Sequence, residues 1–380
     1  MTMDWERHAE RLSEAVTHAS SRWRGPVAAA PRHLFVPRWW SPSKDGWVFN
    51  DGQADVETWM RAAYSDRTLV TSVAGAHADQ AQESDRPAGR PTSSSTLPGL
   101  VVQMLRHLRV YDGADVLDVG TGSGYGCALL AARLGGEHVT SVDVDPYLTA
   151  AAVHRLEQAG LRPEVATIDA TGPLPGDYDR IVATVSVRPI PASWLAALRP
   201  GGRLVTTITG TTLIITADKS EDGGAVGRVE WDRAGFMAAR HDAGDYPSSP
   251  HALPGELRDR EGDHISEGRY PVLDVVEAWE VRSMLDVTVP GIEHHYEEYD
   301  DGRRSAWMSH KDGSWARATG IKGEAPIVHQ GGPRRLWDAL DSIRHRWVMT
   351  GSLPVHGARV SITPDGVCHL KRGRWEAGIA

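Results

Sequence analysis

The chain has 380 residues, 24% charged and 41% hydrophobic, an ordinary globular mix long enough for two or three domains with an ample core. Its net charge of -9 argues against a large basic footprint for duplex nucleic acid, and two cysteines, Cys127 and Cys368, are too few for a disulfide framework or a four-cysteine zinc site. No apolar run reaches the length of a membrane span, and the opening MTMDWERHAERLSEAV lacks the apolar centre of a signal peptide, so a cytoplasmic chain is expected.

Three regions follow from pattern. Residues 1–90 read as a helical or irregular N-terminal region. A helix is expected over 4–19, a turn at 41–46 and a short helix at 57–64; the polar stretch 77–96 has no hydrophobic period and reads as a mobile loop. From Leu97 the pattern becomes an alternation: a helix at 97–108, then strands at 114–120, 138–144, 164–169 and 178–187 with helices between them. Gly135 closes the first of these intervening helices, and Asp145 and Pro146 open the second as N-cap and first helical residue. A helix at 191–199 and strands at 202–210 and 212–219 complete a doubly wound, mostly parallel α/β sheet over 91–239. After 221–227 the alternation lapses. Residues 240–380 read as a smaller α+β domain, with short strands at 284–291, 305–310, 314–320 and 358–375 and a helix within 331–351.

The chemistry concentrates at the ends of the first three strands. VLDVGTGSGYG at 116–126 leaves a strand and opens a helix through Gly120, Thr121, Gly122, Ser123, Gly124 and Tyr125. Such a turn lets backbone approach a ligand closely, and the helix N-terminus favours a negative group. The third glycine of a dinucleotide fingerprint would fall at Tyr125, which departs from a pyrophosphate site. Asp118 at the first strand end suits an ammonium group, Asp143 at the second suits ribose hydroxyls, and Asp169, with Ala170 beside it, suits an adenine amino group. Any one of these acids reads equally as a helix cap or a loop acid; three in series with the glycine turn describe a pocket for S-adenosylmethionine (SAM) and a class I SAM-dependent methyltransferase.

Over about 31–237 the sequence resembles the protein-L-isoaspartate O-methyltransferases. The resemblance is carried by PRHLFVP (31–37), AYSDRTLVTS (63–72), VLDVGTGSGYG, DYDRIVATVSVRPIP (177–191) and LRPGGRLV (198–205). It implies a carboxyl O-methyltransferase that converts SAM to S-adenosylhomocysteine, with residues 1–90 covering the active site. The family's substrate loop, in outline Thr-Ile-Ser-Ala-Pro-His, corresponds here to Thr92-Ser-Ser-Ser-Thr-Leu-Pro-Gly99. With Pro98 as anchor, Thr96 takes the serine's place and Gly99 the histidine's; a shift selects Ser95, Ser94 or Ser93 instead. All four hydroxyls stand as catalytic candidates, and Tyr64, Asp66, Ser186 and Arg188 as substrate contacts. The alignment needs about twenty extra residues between Ser72 and Ser93, and the repair enzymes are expected to lack the C-terminal domain. This layout is similar to methyltransferases that accompany ribosomally made, modified peptides. Those of graspetide pathways esterify an aspartate in a peptide macrocyclised by ATP-grasp ligases, the ester then collapsing to aspartimide; lanthipeptide pathways hold related enzymes. A modified precursor peptide is therefore the expected partner, with no nucleic acid or membrane. Isoaspartyl repair is the alternative. A non-catalytic SAM-fold binding module is a third reading, against which the intact Gly120, Gly122, Gly124, Asp143 and Asp169 count.

The chemistry itself is undemanding. A carboxylate with a pKa near ~4 is ionised at neutral pH and needs no general base. Catalysis then rests on positioning, for which neutral hydroxyl donors serve well; a basic residue touching the nucleophile would compete for its lone pairs. No metal is expected: the histidines of EHHYEE at 293–298 lack the helical spacing of a zinc motif and point opposite ways on a strand. Arg334, Arg335, Arg344 and Arg346 around the last helix read as a solvated face, or else as a dock for an acidic peptide.

Overall fold

The structure, a computed structural model, describes residues 4–44, 46–245 and 255–379. Asp45 of the turn at 41–46, and 246–254 of the polar stretch after 240, lie outside the described residues.

The N-terminal region holds α1 (Trp5–Val16), α2 (Arg24–Ala29), β1 (Arg38–Ser43), β2 (Gly46–Asp51), α3 (Val56–Ala63), β3 (Leu69–Val73), β4 (Ala76–His77) and β5 (Pro91–Ser95). It is more ordered than its composition implies. Its strands form an antiparallel sheet in the order β2-β1-β3-β4, with β5 also on β3. The hydroxyl run is therefore a strand rather than part of a mobile loop. β3 templates it, and cross-strand hydroxyl pairs satisfy side chains: Thr71 Oγ1 donates to Ser93 Oγ at 3.0 Å and Thr92 Oγ1 to Ser72 Oγ at 2.9 Å. Asp55 caps α3 by accepting from the Thr58 amide at 3.0 Å.

The alternating region gives α4 (Pro98–Leu108), β6 (Val116–Val119), α5 (Tyr125–Leu134), β7 (Val139–Asp143), α6 (Pro146–Gln158), β8 (Glu164–Thr167), β9 (Tyr178–Val187), α7 (Ala192–Ala197), β10 (Leu198–Ile208), β11 (Leu213–Lys219) and β12 (Ala225–Arg233). β8, β7, β6, β9 and β10 are mutually parallel, and β6 is the switch point: the chain runs outward from it to β8, then returns to β9 on its other side. Ligands of such sheets sit beyond the carboxyl ends at this point. Asp145 caps α6 as its sequence position implies, accepting from the Tyr147 and Leu148 amides. Leu117, Ile181, Trp194 and Leu204 are fully buried around the sheet.

The remainder comprises α8 (Gly255–Asp259), β13 (His264–Glu267), α9 (Trp279–Thr288), β14 (Glu293–Glu298), β15 (Arg303–Ser309), β16 (Trp315–Ile321), β17 (Ile327–Gly331), α10 (Leu336–Thr350), β18 (Arg359–Ile362), β19 (Cys368–Arg372) and β20 (Trp375–Ile379). An antiparallel sheet runs β13-β17-β16-β15-β14. Three expectations change here. The stretch from 225 is not a break but β12, a further strand of the main sheet. The expected strand at 284–291 is largely the end of α9, whose Val281, Met284 and Leu285 recur at helical spacing once the window starts at Trp279. Finally, β18, β19 and β20 return to the main sheet beside β12 and extend it to ten strands, so a boundary at 239/240 does not separate two independent sheets. No helix of the described residues is long and apolar enough to cross a membrane.

Candidate functional site

A cleft opens at the carboxyl ends of the parallel strands. The turn after β6 forms its floor. Gly120, Gly122 and Gly124 all have positive φ, and a Cβ on Gly120 would lie 2.9 Å from the Val185 side chain. These positions admit glycine alone without strain and leave the backbone bare toward the cleft. Thr121, Ser123 and Tyr125 line it too, as do Asp143 and Val144 after β7, and Ile168, Ala170 and Thr171 after β8. Asp143 is held by two amides, Gly122 N–H at 2.9 Å and Asp145 N–H at 3.1 Å, although burial still raises its pKa. Its carboxylate thus couples the glycine turn to the end of β7.

Asp118 and Asp169 sit differently from the sequence reading. Asp118 is 2% exposed and does not line the cleft; it accepts from Ser141 Oγ at 2.8 Å, and Ser141 meets Thr121 Oγ1 at 2.7 Å. An ammonium group has no access to it. Burial pushes its pKa up to about 7, against the Ser141 hydrogen bond. A carboxyl group whose pKa rises on folding binds its proton more tightly in the folded chain. Its contribution is therefore greatest below about pH 4 and is given up as the pH climbs toward 7. Asp118→Asn is expected to flatten the fall in denaturation midpoint between pH 4 and 7; an unchanged slope would show that Asp118 ionises without cost. Asp169 is not among the residues lining the cleft; its carboxylate accepts from the Thr171 amide at 2.8 Å and Thr171 Oγ1 at 2.7 Å and lies 3.2 Å from His241. Burial raises its pKa, but these Thr171 and His241 contacts outweigh it and hold the carboxyl below its ordinary range.

The hydroxyl strand forms the facing wall. Thr92, Ser93, Ser94 and Thr96 line the cleft, whereas Ser95 does not and is 1% exposed. Burial alternates along the run, with Ser93 and Ser95 buried and 92, 94 and 96 more open, while Ser93 still reaches the glycine turn, its Oγ 3.8 Å from where a Cβ on Gly122 would sit. Thr92 and Ser93 are engaged by Ser72 and Thr71. The side-chain hydroxyls of Ser94 and Thr96 make no hydrogen bond among the described residues, which leaves both free to donate into the cleft.

The four substrate-contact candidates lie elsewhere. Tyr64 is buried, its phenol bonded to His33 Nδ1 at 2.7 Å. Asp66 accepts from the Gly99 amide at 2.7 Å in the first turn of α4. Ser186 donates to the Phe236 carbonyl at 3.1 Å. Arg188 pairs with Asp286 of α9 and donates to the Thr209 carbonyl, tying the main sheet to α9. Arg188→Met should cost about 2–4 kcal/mol by stranding Asp286, with S-adenosylhomocysteine affinity unchanged within twofold; a large loss of affinity at full stability would return Arg188 to the ligand site. Of the C-terminal arginines, Arg334 pairs with Asp312 and Arg344 with Asp341, so half of that cluster is engaged internally.

One wall had no motif to announce it. Residues 235–240, including Phe236, Met237 and Arg240, close the cleft from above. β12 is antiparallel to β11, itself antiparallel to β10, so β12 ends at the same edge as the parallel strands and delivers this segment over the site. Arg240 Nη2 lies 3.7 Å from Asp145 Oδ2, clasping the segment to the α6 cap. Among the described residues lining the cleft only Asp143 and Arg240 carry charge.

Comparison with known proteins agrees with this geometry. The family described as Protein-L-isoaspartate(D-aspartate) O-methyltransferase (PCMT) matches residues 57–234. A protein-L-isoaspartate O-methyltransferase of Aeropyrum pernix is 33% identical over 224 residues, 57% of this chain and 72% of the relative. That of Methanothrix thermoacetophila is 32% identical over 202 residues, 52% of this chain and 78% of the relative. A solved structure described as a protein-L-isoaspartate O-methyltransferase aligns over 97% of this chain and 99% of its own length, at a TM-score of 0.51 and 17% identity. That alignment runs through the C-terminal elements, which overturns the expectation that proteins of this name lack them.

Proposed function

Because the chain belongs to the protein-L-isoaspartate O-methyltransferase family, a SAM-dependent class of carboxyl methyltransferases acting on peptides and proteins, we propose that its own acceptor is an aspartate side chain of a ribosomally made, macrocyclised peptide. The cleft fits SAM. Glycines at 120, 122 and 124 give a cradle that a Cβ would fill at Gly120; the Asp143 carboxylate offers the ribose an acceptor; Val144, Leu148 and Ile168 give a flat apolar base a wall. When bound, SAM supplies an electrophilic methyl group.

The chain's own residues do the positioning. Ser94 and Thr96 hydroxyls donate to one oxygen of the acceptor carboxylate and leave the other oxygen's lone pair free to attack. No proton has to be removed, in keeping with a wall that, among the described residues, offers no histidine or carboxylate on the acceptor side. Residues 235–240 and the hydroxyl strand shield the methyl group from water. In the resulting ester the next backbone amide nitrogen attacks the carbonyl carbon. The N–C bond forms, the bond to methoxide breaks, and the amide proton leaves with it as methanol, giving the five-membered imide.

The observation that carries the reading is the pair of unengaged hydroxyls lining the same cleft as the glycine cradle. The departure at 92–99, with glycine at 99 where the family's loop has histidine, favours a dedicated peptide. Isoaspartyl repair is the second reading, favoured by the names of the relatives and by the full-length structural match. Incubation with SAM and either a macrocyclised Asp-containing precursor or an isoaspartyl hexapeptide separates the two. A gain of one methylene followed by loss of methanol on the precursor alone supports the proposal; efficient turnover of the hexapeptide with none of the precursor overturns it in favour of repair.

A further inference from the structure

The acceptor wall is neutral, yet the proposed acceptor is an anion. A fully buried cation lies one layer behind that wall. Arg32 is 0% exposed, and its guanidinium donates to five carbonyls: Ala63 at 2.7 Å, Ser65 and Arg67 at 3.0 Å, Ser95 and Thr96 at 3.2 Å. It stacks 5.4 Å above the ring of Tyr125, which lines the cleft. All five partners are uncharged, and among the described residues Arg32 makes no ion pair. Burial lowers its pKa only to about 10, so it stays protonated at neutral pH. Asp66 is the acid that most opposes it; that carboxylate is exposed and already caps α4. Three buried polar atoms cluster here without a hydrogen-bond partner among the described residues: Arg32 Nε, Ser95 Oγ and Tyr125 Oη.

We infer that Arg32 is a positioning residue that makes the site selective for an anionic acceptor, fixing the carbonyls of Ser95 and Thr96 and placing a positive charge behind the hydroxyls without touching the nucleophile. The arrangement answers the difficulty raised by a direct contact. A cation bonded to the carboxylate would draw off the lone pair that must attack, whereas one behind a peptide layer attracts the anion through its field alone. The low-dielectric surroundings of Arg32 lengthen the reach of that field. The inference rests on the carboxyl-methylation reading.

The test measures selectivity rather than activity alone. With S-adenosylhomocysteine present, dissociation constants are determined by calorimetry for the macrocyclised Asp-containing precursor and an isoaspartyl hexapeptide, and for the same peptides with the carboxylate as carboxamide. Wild type is expected to prefer one carboxylate over its amide by about tenfold or more. Arg32→Met should reduce that preference to about twofold, and Arg32→Lys should restore most of it. Damage to the fold alone would weaken acid and amide equally. Asp66→Asn guards against misfolding at Arg32, since its amide oxygen still accepts from Gly99: it removes the opposing charge and should tighten the carboxylate peptide about twofold. An unchanged acid-to-amide ratio in Arg32→Met, or, where those variants do not fold, no tightening in Asp66→Asn, overturns the inference while leaving carboxyl methylation standing. A wild-type chain that binds S-adenosylhomocysteine but neither carboxylate peptide removes that reading, and the inference with it.

Discussion

Replacing Ser94 by alanine and Thr96 by valine together is expected to lower kcat/KM for the peptide by about 10³-fold, with S-adenosylhomocysteine affinity within twofold of wild type. Hydrogen bonds to a charged partner contribute about 1.5–3 kcal/mol each, so two lost at once correspond to roughly 10²–10⁴ in rate. Neither hydroxyl has a partner inside the protein among the described residues, and both line the cleft, so the double change removes no bond on which folding depends. Ser95→Ala is the internal control. Its hydroxyl points away from the cleft and is unpartnered, and kcat/KM should stay within threefold. A large effect at Ser95 with none at Ser94 and Thr96 would shift the strand's working face by one residue.

Asp143→Asn is expected to weaken S-adenosylhomocysteine about 10²-fold, read by calorimetry. The wild-type carboxylate accepts from Gly122 and Asp145 amides and keeps lone pairs for ribose hydroxyls. The amide replaces one acceptor oxygen with a donor, which strands either a backbone amide or a hydroxyl and removes the charge that strengthens both bonds. A change below threefold would mean that the nucleoside is not seated against the end of β7.

Much of the fold was legible because its signals are local. Gly135 ends α5, Asp145 and Pro146 open α6, and 116–119 and 139–142 are largely buried parallel strands on either side of the glycine turn. The comparisons then place the chain in the family its motifs resemble. What escaped was non-local. The strand at 92–95 owes its form to β3 across the sheet, since nothing in a serine run specifies extension. The segment 235–240 matters because two reversals of direction bring β12 to the ligand edge. Tyr64, Asp66, Ser186 and Arg188 are polar residues in motif positions, but each meets an internal partner that sequence spacing cannot show. Arg32 was visible only as part of a motif; its five carbonyl contacts draw on residues 31 to 64 positions away.

A crystal structure with S-adenosylhomocysteine and an aspartyl or isoaspartyl peptide tests the central claim most directly. The account predicts the coproduct's sulfur between the turn at 120–124 and the hydroxyl strand, with Ser94 and Thr96 both within hydrogen-bond distance of one carboxylate oxygen. A coproduct bound outside this cleft, or a peptide carboxylate held by a cationic side chain with Ser94 and Thr96 turned away, would contradict it.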